Sequence, residues 1–210
     1  YVYVSPLGKP PKEFVLASLE RGREHFDGGV IAAAAHLKTF CTNVETISTR
    51  SVRKTRFVDQ ATTRKLFEVY RGDTDDATTG EQWLADEIKR RAPEFDVTVI
   101  TDFGHGMLTP KVRDAITKSA NYLAVNTQSN AGNHGFNLIG KYPRASFVCL
   151  DAPEARLAVG DQYADAEGLA AQLNSWGRDR IIVTDGRGGS VAISEGIARR
   201  IPALTSKVLA

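Results

Sequence analysis

The sequence is poor in the residues that build metal centres and disulfide frameworks. It contains two cysteines, Cys41 and Cys149, and four histidines, at positions 25, 36, 105 and 134. The cysteines lie far apart in apolar surroundings, and no Cys or His pair has the spacing of a metal site. The sequence therefore predicts buried, reduced thiols in a cytosolic protein.

Long apolar runs and a strong net charge are also missing. The longest apolar stretch, Val30 to Ala35, is far shorter than a membrane span, and no signal peptide is visible. A net charge of +2 is too small to indicate nucleic acid or a membrane surface as a partner. We expect a cytoplasmic protein that binds neither.

What the sequence does contain is a regular alternation of strands and helices. With 210 residues, 42% of them hydrophobic, the chain can bury a full core. From about residue 79, apolar strand patterns alternate with amphipathic helix patterns such as "GEQWLADEIKRRA", in which Leu84 and Ile88 share one face. This rhythm, with its continuous apolar strands, predicts a parallel sheet covered by helices on both faces. Strands are also predicted for "YVYV" and "NVETIS".

Polar residues follow four of the predicted strands directly. They are Asp102, Asn126, Asp151 and the segment Thr184-Asp185-Gly186. Ligands of parallel sheets bind at the carboxyl ends of the strands, so these positions predict one shared site.

Two glycine-containing segments each allow two interpretations. Gly28 and Gly29 open an alanine-rich helix, either as a tight turn or as bare backbone N–H groups for a ligand. Asp102, with Gly104 and Gly106 in "TDFGHGMLT", fits either an Asx turn or a site for sugar hydroxyls.

The last two strand ends are equally ambiguous. Asp151-Ala-Pro-Glu154 has the spacing of a capping box, and the same carboxylates suit the ordering of water around magnesium and phosphate. "TDGRGG" at 184–189 fits a hairpin turn or a nucleotide-binding element, and it lacks the Lys-Ser/Thr of a P-loop.

A basic segment separates the two halves of the chain. Residues 50–71 alternate polar and apolar positions, as a two-stranded ribbon does, and carry seven Lys or Arg but two Asp or Glu. The charge either protects a sheet edge or serves an anionic substrate such as a phosphorylated sugar.

Taken in order, these motifs resemble the ribokinase-like (PfkB) sugar kinases. The matching pieces are "GGVIAAAAHL", "TRSVRKTRFVD", "VITDFGHGMLT", "VNTQ", "VCLDAPEARLA" and "IIVTDGRGGSV". The resemblance is greatest to the kinase modules of bifunctional heptose-phosphate kinase/nucleotidyltransferases. It implies a ribokinase-like three-layer α/β/α fold with a mostly parallel central sheet. It also implies that residues 1–210 form one incomplete domain with a small β-lid at about 49–72.

The resemblance also implies a reaction and its residues. The reaction is ATP-dependent phosphorylation of a sugar or sugar phosphate, such as a heptose phosphate, with Mg²⁺, and a homodimer through the β-lid is an expected partner arrangement. Substrate residues would be Gly28, Gly29, Lys54, Arg56, Asp102 and Asn126. Nucleotide residues would be Asp151, Thr184, Gly186, Gly188 and Gly189, with Glu154 at the metal.

The sequence departs from the family pattern at several positions. Asn126 stands for an Asp and Asp151 for an Asn, and the Gly-Ala-Gly-Asp motif that supplies the base would follow "IPALTSKV" but is not in these 210 residues. The family also has a helix-containing segment between Ser48 and Thr49 that is missing here, so we expect either that residues have been left out at this point or that the chain is truly shortened. An inactive pseudokinase or regulatory sugar-binding module is the alternative function. A dinucleotide-binding oxidoreductase is a weaker one, because no Gly-x-Gly-x-x-Gly joins a strand to a helix.

Overall fold

A computed structural model describes residues 1–6, 17–49, 52–72, 80–130 and 132–204. The chain divides into two compact units, Tyr1–Asp76 and Ala77–Ala210. Each unit has its own sheet.

The described residues of the first unit form a four-stranded sheet and one helix. Its strands are β1 (Val2–Pro6), β2 (Ser18–Arg23), β3 (Val52–Asp59) and β4 (Lys65–Gly72), arranged in the order β2-β1-β3-β4. Strand β1 runs parallel to β3, and the other two pairings are antiparallel. Helix α1 spans Gly29–Leu37.

The two-stranded ribbon predicted in the basic segment is present as β3 and β4. Phe57 lies opposite Phe67 in the pairing, and their rings stack with centroids 4.3 Å apart. The ribbon is not isolated, since β3 also pairs with β1. Arg50 and Ser51, at the start of the predicted segment, lie outside the described residues.

In the described part of the second unit, a six-stranded sheet is flanked by four helices. Its strands are β5 (Thr98–Asp102), β6 (Leu123–Thr127), β7 (Phe147–Asp151), β8 (Arg180–Thr184), β9 (Ser190–Ser194) and β10 (Ile197–Ile201). Its helices are α2 (Glu81–Arg91), α3 (Pro110–Ser119), α4 (Ala152–Val159) and α5 (Ala166–Ser175). The strand order is β10-β9-β8-β7-β6-β5, with β5 to β8 parallel and β9 and β10 antiparallel.

Local signals in the sequence explain where these helices begin. The Thr109 hydroxyl accepts a hydrogen bond from the Val112 N–H at 3.3 Å, with Pro110 at the first helical position. The Asp165 carboxylate caps α5 by accepting from the Gly168 N–H at 2.8 Å. These caps satisfy N–H groups that have no partner within the helix.

The core of the second unit lies on one face of the sheet. Alternate residues of β6, β7 and β8 are buried, as the twofold period of a strand requires. The helices contribute the matching apolar side chains, and on α2 the predicted face of Leu84 and Ile88 is buried. The most deeply buried side chains include Leu84, Ile116, Val125, Leu150, Leu169, Leu173, Ile181 and Val183.

Three local predictions were wrong or incomplete. The "NVETIS" segment is not a strand, and its half-buried residues Val44 and Ile47 are three positions apart, which does not match strand alternation. Cys41 is exposed rather than buried, because it follows α1 in a turn where Phe40 is also 75% exposed. Strands β2 and β10 were not predicted, since both are largely exposed and rich in charged residues.

The predicted fold class is confirmed as a mixed α/β arrangement with a mostly parallel central sheet and helices. Among the residues that the structure describes, no helix combines the length and the apolar character needed to cross a bilayer.

Candidate functional site

The carboxyl ends of β5 to β8 meet along one edge of the second unit. Asp102 pairs with Thr127 in the register of β5 and β6, and Asp151 pairs with Thr184 in that of β7 and β8. We call these four residues and the loops that follow them the rim. The structure thus places Asp102, Asp151 and Thr184 side by side along one edge, where parallel sheets bind their ligands.

Asp102 is only 4% exposed, and its carboxylate is surrounded by internal donors. Oδ1 accepts from the Gly104 N–H at 2.9 Å, which is the Asx turn that the sequence allowed. Oδ2 accepts from the Tyr142 hydroxyl at 2.7 Å and contacts the Lys141 ammonium at 2.7 Å. Burial and the Asp102 charge raise the pKa of Tyr142, so its hydroxyl stays protonated and donates.

Arg178 supports the turn that carries Lys141 and Tyr142. It is 3% exposed and donates to the carbonyls of Tyr142 at 2.9 Å and Ile139 at 3.1 Å. Burial lowers the pKa of this guanidinium. The turn is therefore fixed by two charge-assisted hydrogen bonds.

Three asparagines hold the main chain at Asp102 and Phe103. The Phe103 carbonyl accepts from the side-chain amides of Asn130 at 2.8 Å and Asn133 at 2.9 Å. The buried Asn137 amide donates to the Asp102 carbonyl at 2.8 Å and to the Gln128 carbonyl at 3.0 Å. We call Asn130, Asn133 and Asn137 the asparagine clamp.

Asn126 and Thr184 form side-chain bonds to neighbouring strands. The Asn126 amide donates to the Cys149 carbonyl at 2.8 Å, and the Thr184 hydroxyl donates to the Leu150 carbonyl at 3.4 Å. Each residue therefore fixes the spacing of the strands close to the rim, and its contact with a ligand stays a prediction.

Asp151 and Glu154 form the capping box that their spacing predicted. The Glu154 N–H donates to Asp151 Oδ1 at 2.8 Å, and the Asp151 N–H donates to Glu154 Oε2 at 3.4 Å. Glu154 Oε1 also accepts from the Ser129 N–H at 2.9 Å. Burial and the nearby Asp151 charge raise the pKa of Glu154 to about 7. The carboxyl group is thus a pH-sensitive connection between two rim loops.

The 184–189 segment is a tight loop between β8 and β9. The Gly188 N–H donates to the Asp185 carbonyl at 2.8 Å, and the Asp185 N–H donates to the Gly189 carbonyl at 2.8 Å. A Cβ at Gly189, whose φ is +83°, would lie 2.1 Å from the Ile201 carbonyl oxygen. At Gly186 a Cβ would meet no described atom within 4 Å. Gly189 is therefore required by packing against β10, whereas Gly186 borders open space.

In the first unit, Gly28 and Gly29 lie at the start of α1 as predicted. The Gly28 carbonyl accepts from the N–H groups of Ile31 at 3.1 Å and Ala32 at 3.0 Å. Both glycines are exposed, and a Cβ at Gly28 would meet no described atom within 4 Å. Local packing does not require glycine at position 28.

Lys54 and Arg56 share one carboxylate on the ribbon. Glu68 accepts from Lys54 Nζ and from Arg56 Nε, each at 3.0 Å, and Lys65 Nζ is also 3.0 Å away. We call these four residues the lid cluster, which carries a formal charge of +2. Partial burial raises the pKa of Glu68, but hydrogen bonds from Lys65 and Lys54 outweigh it and lower the pKa to about 2.

Sequence reasoning missed the residues that support the rim from outside the motifs. These are the asparagine clamp, Lys141, Tyr142 and Arg178. The spacing of the asparagines in "NAGNHGFN" was the available signal, but Asn and Gly are ordinary loop residues. Across the described ranges, no three or more His, Cys, Asp or Glu side chains are grouped to hold a metal ion directly.

Comparison with known proteins gives one curated relative and many solved structures. No family model matches the chain. The bifunctional protein HldE of Citrifermentans bemidjiense is 28% identical over 137 residues, which are 63% of this chain and 28% of HldE. The match therefore spans less than a third of that relative.

Three solved structures cover almost all of the chain. The tetrameric inhibited form of phosphofructokinase-2 from Escherichia coli has a TM-score of 0.61 at 13% identity, covering 98% of this chain and 77% of that one. Ribokinase from Giardia lamblia has a TM-score of 0.54 at 12% identity, covering 99% and 74%. A PfkB protein from Polaromonas sp. JS666 has a TM-score of 0.53 at 14% identity, covering 97% and 80%. The resemblance seen in the motifs is thereby confirmed at the level of structure, and the chain has the fold of the ribokinase-like kinases.

Proposed function

We propose that the chain is a sugar kinase module that transfers the γ-phosphoryl group of ATP to a hydroxyl of a phosphorylated sugar, such as a heptose phosphate. The observation that carries this proposal is the alignment of Asp102, Asp151 and Thr184 along one edge of a ribokinase-like sheet. The similarity to HldE supports the choice of a heptose phosphate. We further propose that residues 1–210 form one ribokinase-like domain in which residues 49–72 are the β-lid.

A sugar phosphate needs polar groups for its hydroxyls and cations for its phosphate, and the proposed residues supply both. Gly28 and Gly29 offer exposed backbone at a helix start, and Asn126 and Asp102 stand at strand ends. Lys54 and Arg56 belong to the lid cluster, whose net positive charge suits a phosphate group. A sugar without phosphate would not use that charge.

The nucleotide would be bound by Asp151, Thr184, Gly186, Gly188 and Gly189, and Gly186 has the open surroundings that close backbone approach requires. The carboxylates are suited to bind Mg²⁺ through water molecules rather than by direct coordination. Each Glu154 oxygen already accepts one N–H, and a carboxylate oxygen has a second lone pair for a water molecule. Bound Mg²⁺ would neutralise phosphate charge and usually keeps several waters.

In this proposal the chain works by positioning and by charge. The rim would position the sugar hydroxyl in line with the γ-phosphate, and positioning with charge stabilisation supplies most of the rate in phosphoryl transfer.

Titration calorimetry tests the proposal. The protein is titrated with ATP–Mg²⁺, with a heptose phosphate and with the same heptose lacking phosphate. We expect binding of the first two and much weaker binding of the third. An Arg53→Ala variant, on the same strand but outside the lid cluster, should bind the heptose phosphate normally, whereas Arg56→Ala should not. Equal binding of both sugars would overturn the choice of a phosphorylated substrate.

A regulatory sugar-binding module without nucleotide is the second candidate. It is favoured by Asn126 and Asp151, which stand where the resembling family has Asp and Asn. Sugar binding in the absence of any nucleotide binding would select this function.

A further inference from the structure

We infer that the asparagine clamp is a set of positioning residues that holds the segment Asp102–Gly106 in its binding conformation for the sugar. The inference rests on the proposed function and names residues outside every motif of the sequence. It begins from the backbone of the segment. Gly104 and Gly106 have φ values of +69° and +85°, and glycine loses more conformational freedom on ordering than any other residue.

The clamp supplies the restraint that this glycine-containing loop lacks. Two amide groups donate to the Phe103 carbonyl and a third donates to the Asp102 carbonyl, at 2.8–2.9 Å. These donors come from residues 27, 30 and 35 positions further along the chain. Two donors on one carbonyl use both of its lone pairs, so the orientation of the peptide group between Phe103 and Gly104 is fixed from outside the loop.

Gly104 and Asn133 fit each other closely. A Cβ at position 104 would lie 1.9 Å from Asn133 Nδ2, so only glycine lets the asparagine reach the Phe103 carbonyl. The glycine and the clamp therefore depend on each other, which a simple strand-to-helix turn does not require.

The clamp is itself held by hydrogen bonds. The Asn130 N–H donates to Asn133 Oδ1 at 2.8 Å, and the Gly132 N–H donates to Asn130 Oδ1 at 2.9 Å. The Lys141 ammonium donates to Asn137 Oδ1. Each side-chain oxygen accepts a hydrogen bond while the nitrogen donates to the loop backbone, so the orientation of all three amides is fixed.

The contacts near α3 show that the loop does not need the clamp simply to connect β5 to α3. The loop is already closed by the Asx turn at Asp102, by the Thr109 cap, and by the Arg113 guanidinium, which donates to the Leu108 carbonyl at 2.6 Å. Three additional donors restrict the first residues of the loop. A ligand that binds there therefore removes less conformational entropy from the loop.

Substitution of Asn133 by Asp tests the inference, because Asp keeps the acceptor oxygen and loses the donor. We expect the affinity for a heptose phosphate to fall by about tenfold, with affinity for ATP–Mg²⁺ unchanged, as measured by calorimetry. Hydrogen exchange of the Gly104 and Gly106 amides, followed by NMR, should accelerate by a similar factor. Asn133→Ser removes the amide without adding charge. It replaces Asn133→Asp in both measurements if the Asp variant does not fold.

Asn121 provides a matched control. Like that of Asn133, its amide donates to the main chain, here to the carbonyls of Pro93 at 3.0 Å and Phe95 at 2.9 Å, at the opposite ends of the strands. Asn121→Asp should lower stability while leaving sugar affinity and exchange at Gly104 unchanged. Equal sugar affinity in Asn133→Asp and the unchanged protein would overturn the inference. If the unchanged protein binds no sugar phosphate, the proposed function fails, and unaltered exchange at Gly104 in the variant would then also overturn the clamp.

Discussion

The carboxylate of Glu68 lies among three cations and is largely shielded from solvent, with 15% of its side chain exposed. Its pKa is about 2, well below the ordinary value of 4.5. A carboxyl group with a lowered pKa stabilises the folded state at pH values above its unfolded pKa. That stabilisation is lost as the pH falls from about 5 towards 2.

Replacement of Glu68 by Gln should remove this part of the acid dependence. An ion network of this kind contributes about 1 kcal/mol, so the melting temperature of the variant should be lower at pH 7 and should change less between pH 5 and pH 2. Thermal unfolding followed by circular dichroism measures both. Glu20→Gln, in the exposed pair with Arg23, should leave the acid dependence unaltered. A variant as acid-sensitive as the unchanged protein would contradict this account.

Glu154 should give the opposite dependence on pH. Its pKa of about 7 lies above the ordinary 4.5, because burial and Asp151 disfavour the charged form. The folded state therefore loses stability as the pH rises from about 4.5 to above 7. Glu154→Gln stays neutral, so its melting temperature relative to the unchanged protein should rise between pH 5 and pH 8. Glu167→Gln, in the first turn of α5, is the control. A constant difference across that range would refute the pKa assignment.

At the scale of elements, the sequence alone predicted the strands and helices in which apolar residues recur with a clear period. The bounds of β5 to β8 and of α2 to α5 follow from alternation, caps and glycine stops. The alignment of strand ends at the rim followed from parallel pairing. The bonds from Asp102 to Tyr142 and Lys141 span about forty residues, and no local pattern encodes such a partner. The same is true of the asparagine clamp, whose members resemble ordinary turn residues.

The loop between β8 and β9 offers a test in which two glycines differ. Gly189→Ala places a Cβ 2.1 Å from the Ile201 carbonyl and should destabilise the second unit by about 3 kcal/mol, because β10 must move. Gly186 also has a positive φ, but a Cβ there would meet no described atom within 4 Å. Gly186→Ala should therefore lower the free energy of unfolding by about 1 kcal/mol. Urea unfolding measures both. Equal losses would show that φ alone, rather than the contact with β10, requires glycine at position 189.

At the scale of the whole molecule, each described strand of the second unit after β5 lies beside the strand that precedes it in the chain, so the order runs from β5 at one edge to β10 at the other. Sequential neighbours keep loop closures short, which favours fast folding. During synthesis, each strand would emerge after its partner, so the sheet can grow in one direction from the amino-terminal edge. The contact of Gly189 with Ile201 would then form last and would mark the completion of the sheet.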